Sequence, residues 1–132
     1  MLDRIAYLTV AVTAALGGAG VAVAAPDGSG ALCNFTLSAP AVVDVSGVQM
    51  VSATVKPADC SGTAKPTSSQ VCMSAPGTLG RCNELPGYAD PHVYLSPYIP
   101  GTTYTATGRG CSAVVSPPMT VCSTLGPISA TL

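Results

Sequence analysis

Six cysteines are the residues of this chain best equipped for chemistry: Cys33, Cys60, Cys72, Cys82, Cys111 and Cys122. A dithiol oxidoreductase needs a Cys-x-x-Cys pair at a helix start, and a zinc site needs close cysteine pairs or histidines. No Cys-x-x-Cys occurs, and His92 is the single histidine, so both chemistries are set aside and no metal or cofactor is expected. An even cysteine count in a short chain, if the chain is exported, implies three structural disulfides instead. The pairing is open from the residues alone; a nearest-neighbour scheme is favoured. Cys111 and Cys122 flank SAVVSPPMTV, read as the hairpin loop joining the last two strands, and Cys72 and Cys82 close a short segment. Cys33 and Cys60 would then join the first strand to the end of its antiparallel neighbour.

Hydrolytic chemistry has thinner support. Asp90-Pro91-His92, with Ser96 close by, places an acid, a base and a hydroxyl near one another in sequence, but no Gly-x-Ser-x-Gly elbow frames a nucleophile. Glu84 and Asp90 are two acids in a loop-like stretch, without the placement that glycoside cleavage requires. No catalytic residue is therefore assigned, and the chain is read as a non-enzyme. Asn34-Phe35-Thr36 is a formal glycosylation acceptor that matters only in a eukaryotic secretory pathway. Tyr88, Tyr94 and Tyr98 cluster in a Pro-rich segment and form a candidate binding surface, because tyrosine supplies contact area at low entropic cost. The competing reading puts Tyr94 in the core with the other two covering its rim.

Lys and Arg number 5, Asp and Glu 6, for a formal net charge of -1. That balance offers no basic patch for nucleic acid and no basic amphipathic helix for a membrane surface. Arg4 precedes an uncharged run from Ile5 to Ala25 that contains Ala22-Val23-Ala24, the pattern of a secretory signal over residues 1–24. An uncleaved anchor is the alternative, since the run is nearly long enough to span a bilayer; Gly17, Gly18 and Gly20 weaken it. Lipidation at Cys33 is excluded by the bulky Leu32 before it. Residues 25–132 then suffice for one domain, secreted or associated with the cell wall and without membrane insertion after cleavage.

The elements that must position these side chains read as strands. Leu32–Leu37, Val42–Val45, Val48–Val55, Gln70–Ser74, His92–Leu95, Thr102–Thr107 and an interrupted Met119–Leu132 carry β formers or period-two alternation. Val51, Ala53 and Val55 share one face. Pro57 is expected to stop the third strand, Lys56–Ser69 and Ala75–Pro91 to be loops, and Leu125-Gly126-Pro127 to carry a bulge. Once the signal is set aside, no window of helical length shows an apolar period of 3.6. About seven short strands and no helix predict an all-β, antiparallel, disulfide-stabilised sandwich.

Pro100-Gly101 suits the centre of a type II turn, and Tyr104 follows where a ring can fill the sandwich end while its hydroxyl bonds back to the chain. Pro100-Gly101-Thr102-Thr103-Tyr104 resembles the corner of fibronectin type III and immunoglobulin-like sandwiches. The resemblance implies that fold and a corner role for Tyr104; the inter-sheet bridge of antibody domains is not carried over, because Cys111 comes too late and no Trp is present. The export signal, small-residue content and six cysteines are similar to small exported proteins of mycobacteria and other actinobacteria. The function expected is a disulfide-pinned interaction module whose partner is a protein, a glycan or a wall component. The alternative is a carrier of a small apolar ligand, since GTTYTATGRGC loosely resembles neocarzinostatin-like apoproteins; a hydrolase comes third.

Overall fold

The computed structural model describes residues 32–132; the expected signal segment 1–24 and the lead-in after it lie outside the described residues. Eight strands follow in order: β1 (Cys33–Leu37), β2 (Ala41–Val45), β3 (Val48–Cys60), β4 (Lys65–Ser74), β5 (Arg81–Pro86), β6 (His92–Leu95), β7 (Thr103–Val114) and β8 (Met119–Thr131). No helix occurs among the described residues. All pairings are antiparallel. One sheet has β3 at its centre, with β1 and β2 pairing successive stretches of it and β6 pairing it as well; the other runs β5-β4-β7-β8. The chain passes between sheets at β3–β4, β5–β6 and β6–β7, as burying one apolar face of each sheet requires.

β2 turns into β3 through Ser46-Gly47, both with positive φ (53° and 82°). Two such residues make a type I′ hairpin, the turn whose twist matches that of the strands it joins. The Asp44 carboxylate locks it by accepting from the Gly47 amide at 2.9 Å.

Four sequence expectations are corrected. Pro57 does not stop β3, which continues to Cys60. Beyond Val55 that strand has only β1 beside it, so a residue without a donor is tolerated. Lys56–Ser69 is accordingly not a loop: β4 starts at Lys65, leaving a turn over residues 61–64 in which the Ala64 amide donates to the Ser61 carbonyl. Pro66 is accommodated by a register shift between Pro66 and Ser68 where β4 pairs β7. The eighth strand, β5, lies within Ala75–Pro91. Arg81, Asn83 and Glu84 make it too polar to read as a strand; it is an edge paired only to β4, where half-burial suffices. SAVVSPPMTV is also mostly ladder, since β7 reaches Val114 and β8 begins at Met119. The expected irregularity at Gly126-Pro127 is a bulge inside a continuous β8, opposite Thr107.

One core fills the space between the sheets. Phe35, Val51, Val55 and Val93 from one meet Val71, Met73, Ala106, Leu125 and Ile128 from the other, all buried. Burying each large apolar side chain contributes roughly 1.5–3 kcal/mol. Phe35 packs so closely on β7 that any side chain at Gly110 would enter its ring, and a Cβ at Gly108 would meet Val55 at 2.7 Å. The small residues of TATGRGC are therefore the floor on which the opposite sheet rests.

Every disulfide staples residues directly opposite within one sheet. Cys33–Cys60 joins β1 to β3, Cys72–Cys82 joins β4 to β5, and Cys111–Cys122 joins β7 to β8, with Cα separations of 3.9, 4.0 and 4.0 Å. None of the three bridges the two sheets. Adhesion between the layers rests mainly on hydrocarbon contact.

Candidate functional site

The turn after β6 places the corner residues. Pro100 and Gly101 occupy the central positions of a turn closed by the Thr102 amide on the Ile99 carbonyl (3.3 Å), and Gly101 takes φ 79°, which type II geometry demands. Tyr104 is only 2% exposed, and its hydroxyl accepts from the Ile99 amide at 3.1 Å. The ring thus closes the sandwich end while the phenol ties the turn to the strand that follows.

Asp90-Pro91-His92 has an architectural place in this frame. Pro91 is buried, and its carbonyl accepts from the Thr54 hydroxyl at 2.7 Å and from the Val55 amide at 3.3 Å, docking the start of β6 on β3. Asp90 and His92 are exposed on either side of it. The His92 ring stacks on Tyr94 (centroids 6.3 Å apart, planes at 18°), and its carbonyl accepts from the Asn83 side chain at 2.9 Å. Ser96 lies four residues further along an extended chain, roughly 13 Å from His92 at the rise of a strand. That separation is too great for a nucleophile and its base. Glu84 is exposed on β5 and Asn34 on β1. Among the described residues no group of three or more His, Cys, Asp or Glu could hold a metal ion.

The three tyrosines fall in different settings. Tyr94 is 41% exposed on the outer side of β6, while Val93 and Leu95 take the inward positions, so Tyr94 is not the core filler of the competing reading. Tyr88 is exposed in the β5–β6 turn. Tyr98 is half-buried against the core beyond β6, and its amide donates to the Gln49 carbonyl at 3.0 Å.

What surrounds Tyr94 was missed in the sequence. Residues directly opposite in a ladder share a face, and the register pairs Val45 with Val48, Val43 with Met50, Ala41 with Ser52, and Ser52 with Tyr94. The outer face of β2, β3 and β6 therefore carries Ala41, Val43, Val45, Val48, Met50, Ser52, Thr54, His92 and Tyr94, with Lys56 the next outward residue of β3 beyond them. Within it Val43, Val45, Val48 and Met50 form an apolar strip free of Asp, Glu, Lys and Arg. Val48 is 45% exposed, and Val43 and Met50 are half-exposed. The signal was available: extending the Val51–Ala53–Val55 alternation backwards leaves Val48 and Met50 on the opposite side.

A second feature is a cleft of about 260 Å³ at the corner end, between the β4–β5 turn and the segment joining β6 to β7. Leu95 and Tyr104 belong to the core as well as to its lining, and Leu79 and Ile99 stand at its rim, 94% and 54% exposed. Arg81, the first residue of β5, is the one charged residue lining it among the described residues.

Comparison with protein-family models, curated proteins and solved structures found no match to this chain. Among the described residues no helix is long and apolar enough to cross a membrane.

Proposed function

We propose that the protein is an exported, disulfide-pinned binding module on an immunoglobulin-like frame, and that it engages a protein partner through the outer face of β2, β3 and β6. Three features support the frame: two facing antiparallel sheets, crossings of the chain between them, and the Tyr104 corner. Three disulfides in a small all-β chain fit an oxidising, extracellular setting. The binding assignment rests on a single observation, the apolar strip of Val43, Val45, Val48 and Met50 beside Tyr94, free of Asp, Glu, Lys and Arg, on a face that should be polar if it only met water. A strip of valine and methionine offers a glycan almost no hydrogen-bonding groups, which favours a protein surface of matching apolarity.

The experiment is crosslinking capture in the native producer, with the full chain and with a Val48→Asp/Tyr94→Ser variant. Capture of a protein by the wild type and its loss in a variant that keeps the wild-type circular dichroism spectrum is the outcome expected. Undiminished capture by the variant, recovery of wall glycan instead of protein, or self-association of the purified chain through this face would overturn the assignment. The carrier reading has one observation of its own, the cleft at the corner end.

A further inference from the structure

We propose that the cleft at the corner end binds a small carboxylate with a short apolar body. This goes beyond the outer-face reading and gives the carrier reading, on which it rests, a ligand class. The polarity of the lining selects the chemistry. Among the described residues Arg81 is the single charge in a cleft otherwise built of apolar side chains and hydroxyls, so a ligand group that complements it is an anion. A planar guanidinium presents its N–H groups as a fork that matches a carboxylate. Tyr104 adds to this. A phenol has one donor and two acceptor sites, and the Ile99 amide uses an acceptor site, so the phenol proton remains to be donated.

The apolar body is called for by the rim. Leu79 and Ile99 hold hydrocarbon in water on two segments that border the same cleft, and a ligand lying between them removes that area from solvent. The volume, about 260 Å³, falls short of the roughly 300–1,000 Å³ of pockets that enclose drug-sized ligands, so a long-chain fatty acid does not fit. Preorganisation comes from the disulfide frame. Arg81 adjoins Cys82, whose bond to Cys72 pins β5, and Arg81 is itself registered opposite Met73, so little backbone ordering remains to be done on binding.

The test titrates 4-phenylbutanoate and its neutral amide, 4-phenylbutanamide, into the nitrogen-15-labelled full chain. The acid is expected to shift the amide resonances of Leu79, Arg81, Ile99 and Tyr104, and to bind roughly tenfold more tightly than the amide, the size of effect expected for a charge-assisted hydrogen bond. Arg81→Gln should bring the acid down to the affinity of the amide, whereas Leu79→Ser should weaken both. Equal binding of acid and amide at these residues overturns the carboxylate assignment and leaves the carrier reading standing. Absence of shifts at these four residues with either probe, in a chain whose spectrum is that of the folded protein, overturns both.

Discussion

Ser69 shows how much a single buried atom can reveal about this interior. It lies on β4 opposite Leu85 and Gly110, is fully buried, and its hydroxyl has no hydrogen-bond partner among the described residues. A buried hydroxyl without a partner opposes folding by about 1–3 kcal/mol on mutational scales, while deleting one oxygen leaves only a small void. Ser69→Ala is therefore expected to stabilise the protein by up to about 1 kcal/mol, read as a higher urea midpoint at unchanged slope. A drop in midpoint would mean that the hydroxyl is satisfied in solution. Gly110 makes the opposite point: nothing about a glycine between Arg109 and Cys111 announces that a phenyl ring from another sheet must lie on it, and only the packing of Phe35 reveals this.

The disulfides act on pairs of strands, and their effects should scale with the chain they enclose. In the chain-entropy picture the Cys33–Cys60 bond, with a sequence separation of 27, contributes about 3.5 kcal/mol. Cys72–Cys82, with a separation of 10, contributes about 3 kcal/mol. Replacing both cysteines of a pair by serine should thus lower global stability more for the first pair than for the second. Loss of the second should have a local signature: β5 is an edge whose backbone ladder is with β4 alone, so its amides should exchange far faster while those of β7 stay protected. Uniform acceleration across β4, β5 and β7 would show that the edge does not open on its own. β5 also marks the limit of pattern reading, because its strand character comes from a neighbour and a crosslink rather than from its own alternation.

At the scale of the whole molecule, the three bonds together represent on the order of 9 kcal/mol against a total stability of roughly 5–15 kcal/mol for a domain. Since no disulfide crosses between the layers, reduction leaves each layer to hold its own strand register and leaves a core of one Phe and many Val and Ala as the main hold between the layers. Full reduction at room temperature is expected to abolish the β-sheet circular dichroism signal and the cooperative thermal transition. A reduced chain that still melts sharply would place the stability in the apolar core instead.

Composition and period, read without coordinates, determined the all-β class, the six cysteines as structural bonds, the Val48–Val55 part of the third strand, the type II turn and the corner tyrosine. Each depends on neighbours in sequence or on a count: turn dihedrals are set by Pro and Gly themselves, and alternation is local. Tertiary structure alone decided the rest. Pro57 and Pro66 continue as strands because one flank of each carries no partner, and β5 exists because β4 offers it a ladder. The outer apolar face and the cleft join segments distant in the chain, and which side of a strand meets water is settled by what the fold lays over it.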